Sequence, residues 1–197
     1  PNIINVNEVI QKSNDKVSDF SKTDGIFNFV TVSRFSKEKG IDLAIEVATE
    51  LKKQGLKFKW FFIGDGETFL EIKKIIKKRN LEDVCILLGN KENPYPYIKL
   101  ADIYIQTSYV ESQSITIFEA LALKKLIITS NLPALNDALQ HGELGILCDP
   151  ETMSFVQKIN SILFDKSTQN KLKEVLKHHV ISNQIAHKAI DELFLKK

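Results

Sequence analysis

The sequence predicts an α/β fold in which a doubly wound parallel sheet is followed by a C-terminal helical tail. Short apolar runs of strand length alternate with amphipathic runs of helix length, which is the order of consecutive βαβ units. The strand-like runs are apolar almost throughout, as expected for parallel strands that helices cover on both faces. Together these two observations place the chain among the open α/β sheets.

The first predicted strand is Phe27–Val32. A helix follows over residues 40–51, where positions 41, 44, 45, 48 and 51 place apolar side chains on one face. A second strand over residues 58–63 ends at Gly64-Asp65-Gly66, and the next helix, over residues 67–79, turns its lysines outward. The later elements continue the alternation: strands at 84–88, 102–106, 126–129 and 145–148, helices at 95–100, 114–123 and 134–139, and tail helices at about 151–164, 168–179 and 183–195.

These elements predict one Rossmann-like domain over residues 25–150, with the helices of residues 151–197 packed on it. Residues 1–24 show little apolar periodicity. We therefore expect them to form a linker or a loosely docked arm, with the first structured element beginning near Ile26.

Composition narrows the classes of function. With 27 basic and 25 acidic residues and a net charge of +2, the chain lacks the basic excess of a protein that coats nucleic acid, so we expect no nucleic-acid partner. Cys85 and Cys148 lie within apolar runs and are interpreted as buried thiols in a reducing compartment.

No apolar run reaches the roughly 20 residues of a membrane span, and no signal peptide is recognisable, so we expect a cytoplasmic protein. The lysines of residues 73–79 could contact the inner membrane face, although a solvated helix face is the simpler interpretation.

In an open α/β sheet, ligands bind beyond the carboxyl ends of the strands, so we expect the binding residues to follow directly after the strands. Arg34 and Lys39 follow the first strand, and Lys39 stands just before a helix begins. A helix N-terminus carries partial positive charge, and two cations beside it suit a diphosphate. Basic residues are common in this chain, so the pattern alone leaves phosphate binding and a solvated loop both open.

Glu111 and Glu119 flank a predicted helix start after the strand at 102–106. A carboxylate can accept two hydrogen bonds from neighbouring hydroxyls, which is the geometry of a sugar diol. The free backbone N–H groups of the helix start between the two glutamates can hold an anion. One loop and the helix after it could therefore bind sugar, ribose and phosphate together. The observation that indicates such a site is the position of the two glutamates directly after a strand.

Other loops carry weaker signals. Gly64-Asp65-Gly66 permits a tight turn but lacks both the spacing of a dinucleotide site and the Gly-Lys-Ser/Thr of a P-loop, which argues against an ATPase. Residues 131–145 are predicted to rim the same cleft, and His141 within them has no metal-ligating partner at suitable spacing. The sequence shows neither a nucleophile triad nor a carboxylate cluster for a divalent metal.

Taken together, these clusters resemble the C-terminal, nucleotide-sugar-binding domain of the GT-B-fold retaining glycosyltransferases of family GT4. Each piece of the match is common, but their order along the chain is specific. The pieces are Val32-Ser33-Arg34-Phe35-x3-Lys39-Gly40, Phe62-Ile63-Gly64-Asp65-Gly66, Leu87-Leu88-Gly89, Ala101-Asp102-Ile103, Ser108-x2-Glu111-x7-Glu119-Ala120 and Gly142-x2-Gly145-Ile146-Leu147.

The resemblance implies roles for particular residues. Arg34 and Lys39 would bind the donor diphosphate and stabilise it as it departs, which is work that a metal performs elsewhere. Glu111 would contact the transferred sugar, and Glu119 would hold the ribose hydroxyls. The implied catalytic residues are Glu111, Arg34 and Lys39. The implied donor-binding residues are Arg34, Lys39, Gly64, Asn90, Lys91, Ser114, Ile115 and Glu119. Among them, Asn90 and Lys91 would pack on the base, and the backbone N–H groups of Ser114 and Ile115 would bind the distal phosphate.

The resemblance also implies metal-independent transfer from a nucleoside diphosphate sugar, with UDP as the first choice of carrier and GDP as the second. The acceptor would be a glycan or a lipid-linked glycan, and a Lys-, Ile- and Asn-rich chain suggests surface polysaccharide synthesis. Residues 1–24 would lead from an N-terminal acceptor domain that this chain lacks, so the chain alone would bind nucleotide without transferring sugar. A non-catalytic nucleotide-binding regulatory module and a GT-B-fold sugar-nucleotide epimerase domain stay open as alternatives.

Three departures from the family pattern affect the site. Ser33 stands where the family often has glycine, Ser112-Gln113-Ser114 stands where it often has Gly-Phe-Gly, and Lys124-Lys125-Leu126 replaces its usual Gly-x-Pro. Serine is small enough to let a ligand approach the backbone, so we expect an altered loop rather than a lost site. The exchange at residues 112–114 leaves the identity of the donor sugar open.

Overall fold

The computed structural model describes residues 4–20 and 22–181. Six parallel strands form one sheet in the order β3-β2-β1-β4-β5-β6. The strands are β1 (Phe27–Val32), β2 (Phe58–Ile63), β3 (Cys85–Gly89), β4 (Ile103–Gln106), β5 (Leu126–Ser130) and β6 (Ile146–Cys148). The strand order reverses between β1 and β4, so this pair forms the topological switch point at which α/β sheets bind ligands.

Helices pack on both faces of the sheet. They are α1 (Val6–Lys12), α2 (Ile41–Lys53), α3 (Phe69–Lys78), α4 (Tyr95–Leu100), α5 (Ile115–Ala122), α6 (Pro133–Ala138), α7 (Thr152–Phe164) and α8 (Lys166–His178). The helical spacing read for α2 puts Ile41, Ala44 and Ile45 into the core, each at most 1% exposed. None of the helices in the described ranges has the length and apolar character needed to cross a bilayer.

Strand register fixes where the loops emerge. Phe29 of β1 lies opposite Trp60 of β2 on one side and Ile103 of β4 on the other. Because all these strands run in the same direction, the segments that follow β1, β2 and β4 leave from a single edge of the sheet. The clusters predicted after these strands therefore share the carboxyl edge.

The centre of the sheet is aromatic. The Trp60 ring stacks on Phe62 with centroids 5.3 Å apart and meets Phe29 edge-on at 5.8 Å. The indole N–H of Trp60 donates to the Thr31 hydroxyl at 2.9 Å, and that hydroxyl donates to the Ile105 carbonyl at 2.6 Å. The polar groups buried here are thus partnered, as a close-packed interior requires.

The described part of the N-terminal segment needs a correction. The first structured element is α1 rather than a strand near Ile26: Asn5 caps this helix by accepting from the Glu8 N–H, and residues 4–20 pack on the domain instead of docking loosely. Val9 is 2% exposed, and the Phe20 ring lies 4.2 Å from that of Phe61. A seven-residue helix with one inward residue presents no periodicity for a sequence window to detect.

The tail also differs in detail from its prediction. Helix α7 occupies nearly the predicted range, and its residues Phe155 and Ile159 are fully buried. Helix α8 begins at Lys166 because the Asp165 side chain accepts hydrogen bonds from the N–H groups of Ser167 and Thr168. The helix predicted over residues 183–195 lies outside the described residues.

Candidate functional site

Three loops are joined by backbone hydrogen bonds at the carboxyl edge. The Ser33 N–H donates to the Ile63 carbonyl at 3.0 Å, and the Gly64 N–H donates to the Gly89 carbonyl at 2.9 Å. Gly64 has a φ of +135°, and a Cβ there would lie 1.9 Å from the Ser33 carbonyl oxygen. Only glycine permits this approach, so Gly64 supports the loop that carries Arg34. Contact between Gly64 and a ligand stays a prediction.

Lys39 is held in place by the neighbouring strand end. The next residue, Gly40, has a φ of +60°, and a Cβ there would lie 2.0 Å from the Thr107 carbonyl oxygen. The Thr107 hydroxyl donates back to the Gly40 carbonyl at 2.7 Å. This close approach fixes the backbone of the first cationic loop against the end of β4.

The two cations of that loop differ in their surroundings. The Lys39 side chain is 19% exposed, and its Nζ lies 2.6 Å from Glu111 Oε2. The Arg34 side chain is 70% exposed and pairs with Glu38 at 3.1 Å. The Arg34 guanidinium is therefore largely exposed to solvent, whereas the Lys39 ammonium is enclosed and ion-paired.

Glu111 is the one carboxylate of the loop after β4, and its side chain is 5% exposed. Besides Lys39, its Oε2 accepts a hydrogen bond from Gln106 Nε2 at 3.0 Å. Gln106 ends β4 and is 2% exposed. The carboxylate thus meets one cation, from the loop after β1, and one neutral amide, from the end of β4.

Helix α5 begins beside this carboxylate. Its N-cap, Ser114, makes no side-chain hydrogen bond to the helix backbone; its hydroxyl donates to Gln106 Oε1 at 3.0 Å and lies 3.1 Å from the Thr116 hydroxyl. No side chain therefore caps the first-turn N–H groups, around Ile115 and Thr116. Uncapped N–H groups at a helix start favour an anion.

Glu119 lies one turn into α5, on the same side as Ile115. It is 9% exposed, and its Oε1 accepts a hydrogen bond from the Tyr95 hydroxyl at 3.1 Å. Burial raises the pKa of Glu119, and the Tyr95 hydroxyl opposes this effect. Burial also raises the pKa of Tyr95 to about 12, so Tyr95 remains a donor at neutral pH.

The loop after β3 carries Asn90 and Lys91. Asn90 is exposed. Lys91 Nζ pairs with Asp19 Oδ2 at 2.7 Å and lies 5.8 Å from the centroid of the Tyr97 ring. The Tyr97 hydroxyl donates to the other Asp19 oxygen at 2.7 Å. This loop is therefore tied to the N-terminal segment, and the Lys91 contact lowers the pKa of Asp19.

The structure brings Lys39, Glu111 and Ser114 into one hydrogen-bonded cluster. Arg34 and Glu119 lie at the same edge of the sheet, after adjacent strands, and form no hydrogen bond with each other. Gln106 and Tyr95 are site residues that the sequence did not predict. A polar residue at the end of the otherwise apolar run 103–106 was the available signal for Gln106.

Other places in the fold lack comparable chemistry. Within residues 4–20 and 22–181, no group of three or more His, Cys, Asp or Glu side chains could hold a metal ion. Cys85 and Cys148 are buried, and burial raises the pKa of each thiol to about 12. A cavity of about 380 Å³ opens at the amino edge of the strands between Lys22, Asp102 and Lys173, on the side away from the predicted cluster.

Comparison with known proteins connects this geometry to a family. The model of glycosyl transferases group 1 matches residues 11–179. An uncharacterized glycosyltransferase of Methanocaldococcus jannaschii is 26% identical over 172 residues, covering 79% of this chain and 42% of that protein. N-acetyl-alpha-D-glucosaminyl L-malate synthase of Bacillus anthracis is 22% identical over 164 residues, covering 83% of this chain and 43% of that protein. The chain thus spans less than half the length of these relatives.

Solved structures share the fold. HepE of Anabaena, in complex with UDP, superposes with a TM-score of 0.75 at 20% identity, covering 88% of this chain and 50% of that one. The pneumococcal O-GlcNAc transferase GtfA, in complex with UDP and GlcNAc, superposes with a TM-score of 0.72 at 20% identity, covering 85% and 36%. The predicted fold class, one half of a GT-B fold, is confirmed.

Proposed function

This chain belongs to the family of glycosyl transferases group 1, and on that premise we propose that it is the donor-binding part of a retaining glycosyltransferase. The donor is a nucleoside diphosphate sugar. One observation carries the proposal: a fixed lysine, an enclosed carboxylate and an uncapped helix start meet at the switch point of the sheet. A nucleoside diphosphate sugar requires a cation for its phosphates, an acceptor for its sugar hydroxyls and backbone amides that bind an anion.

Each group has a task in the proposed complex. Lys39 and Arg34 bind the diphosphate and stabilise it as it leaves. The backbone N–H groups at Ser114 and Ile115 receive the distal phosphate. Glu111 then accepts from the hydroxyls of the transferred sugar through its Oε1, because both Lys39 and Gln106 bind Oε2.

The nucleoside lies further along the same edge. Glu119 accepts from the ribose hydroxyls, and its Oε2 is the oxygen that Tyr95 leaves available. The loop of Asn90 and Lys91 packs on the base. UDP is the preferred carrier, since HepE and GtfA were each solved in complex with it.

The remaining expectations concern the whole protein. We propose transfer to a glycan or lipid-linked acceptor in surface polysaccharide synthesis, without a metal, by a cytoplasmic protein that can touch the membrane through the lysines of α3. Those lysines are exposed. The acceptor would bind on a further domain, so the chain by itself binds the donor and transfers no sugar.

The test is a titration of the chain with UDP, GDP and ADP, followed by thermal shift or NMR. Wild type should bind UDP most tightly, and Arg34→Ala and Glu119→Ala should each weaken binding at least about tenfold, since each removes a charged or charge-assisted contact. Lys57→Ala, remote from the carboxyl edge, is the control and should bind like wild type. Unchanged UDP affinity in both site variants would contradict the proposal.

A further inference from the structure

We propose that Gln106 is the positioning residue of the donor site, because its buried amide sets the sugar-side carboxylate and the phosphate-binding helix start relative to each other. The inference rests on the proposed function and deepens it. Gln106 touches no donor group itself. It acts through Glu111 on one side and Ser114 on the other.

The contacts of Gln106 bridge two functional groups. Nε2 donates to Glu111 Oε2 at 3.0 Å and to the Ser108 hydroxyl at 3.2 Å. Oε1 accepts from the Ser114 hydroxyl at 3.0 Å. The side chain is 2% exposed and stands on the last residue of β4, so solvent does not compete for these bonds.

Only a neutral amide satisfies both sides of this bridge. An apolar residue would remove the bond donated to Glu111 Oε2 and the acceptor of the Ser114 hydroxyl, so that only Lys39 and the Thr116 hydroxyl would remain as their partners, and the loss is costly in an enclosed site. A glutamate would place a second negative charge against Glu111. The orientation of the amide follows as well, because turning it over would bring Oε1 against the carboxylate.

The bridge has a consequence for the helix start. A serine at an N-cap ordinarily accepts a hydrogen bond from its own helix. Here the hydroxyl of Ser114 turns to Gln106, and the first-turn N–H groups stay open to a phosphate.

The test compares two ligands that differ in the distal phosphate. Gln106→Met keeps the volume and removes the amide. We expect UDP to bind about tenfold or more weakly, the effect of losing hydrogen bonds that involve a charged group. We expect UMP, which lacks the distal phosphate and meets mainly Glu119 and the first phosphate, to change by less than about twofold. Gln54→Met, an exposed glutamine far from the site, is the matched control and should bind both ligands like wild type.

A second variant keeps the inference testable if Gln106→Met does not fold. Gln106→Glu has the same shape, and its charge should weaken UDP binding progressively as pH rises from 5 to 8, relative to wild type. Equal losses for UDP and UMP would assign Gln106 a merely structural role and overturn the inference. If Glu119→Ala abolishes UDP binding but both Gln106 variants bind UDP like wild type, the inference about Gln106 is overturned and the proposed function stands. A wild-type chain that binds no UDP would overturn both.

Discussion

At the scale of single residues, the burial of Glu119 has a cost in stability. Burial raises the pKa of this carboxyl group above its ordinary value of 4.5. The folded protein therefore holds the proton more tightly than the unfolded chain, and the ionised form lowers stability at neutral pH. The penalty is absent below pH 4.5 and grows as pH rises through the raised pKa. A ribose diol that donates to the carboxylate would offset it.

We predict that Glu119→Gln raises the free energy of unfolding by about 1 kcal/mol at pH 7, since it removes a buried charge and keeps an acceptor for Tyr95. The advantage should shrink toward zero as pH falls to about 4. The same variant should bind UDP at least about tenfold more weakly. Urea titrations at both pH values measure the first effect, with exposed Glu143→Gln as the control. A variant less stable than wild type at pH 7 would refute the assignment.

The predictable residues of the site are those whose position follows from topology alone. Arg34, Lys39 and Glu111 follow strands that an apolar pattern identifies, so their meeting at one edge could be inferred without coordinates. Gln106 and Tyr95 could not be found in this way. Each of them matters because of the buried hydroxyl or carboxylate to which it hydrogen-bonds. These partners come from other segments of the chain, and which side chains meet depends on packing that apolar periodicity does not encode.

At the scale of elements, the N-terminal segment and the loop after β3 act on each other. Asp19 joins Lys91 and Tyr97, and Asn93 Nδ2 donates to Asp15 at 2.8 Å. The Lys91 contact lowers the pKa of Asp19, so its stabilising effect is present above the ordinary pKa of 3.8 and is lost as pH falls through the lowered value. The loop proposed to pack on the base is thus held from outside the sheet.

We predict that Asp19→Asn lowers stability by roughly 0.5 kcal/mol at pH 7, a small effect because the ion pair is partly exposed. The difference from wild type should close as pH falls below 3.8. Amide hydrogen exchange in residues 90–93 should become faster, because the loop loses its tether. Exposed Asp24→Asn should change neither quantity. Exchange rates in the loop that match wild type would show that the tether does not restrain it.

Elements of the sheet were predictable because each has enough apolar residues to reveal its period. The six strands of the sheet were predictable for this reason, and so was helix α2, which has seven buried residues. Helix α1 was not, since Val9 is its one buried residue and its stability comes from docking. The start of α8 was placed too late because the cap at Asp165, rather than an apolar position, determines it.

At the scale of the whole molecule, the largest buried cluster joins the sheet, Phe20 of the N-terminal segment and the tail, while Ile4 and Val9 pack with Ala122 in a second cluster. Phe20, Trp60 and Ile159 belong to the same buried cluster although they come from three parts of the chain. Helix α7 packs on α2, the helix that follows the Lys39 loop. Folding of the tail and formation of the site should therefore occur in one cooperative transition.

We predict that Ile159→Ala, at a fully buried position of α7, lowers the free energy of unfolding by roughly 2–4 kcal/mol without adding a second transition. Met153→Ala, on the same helix but 49% exposed, should cost less than about 0.5 kcal/mol. UDP at 100 times its Kd should restore about 2.7 kcal/mol to Ile159→Ala, as it does for wild type, because binding is linked to folding of the whole unit. Urea denaturation with and without UDP measures all three quantities. A biphasic curve, with UDP shifting only one phase, would mean that the tail and the donor site fold separately.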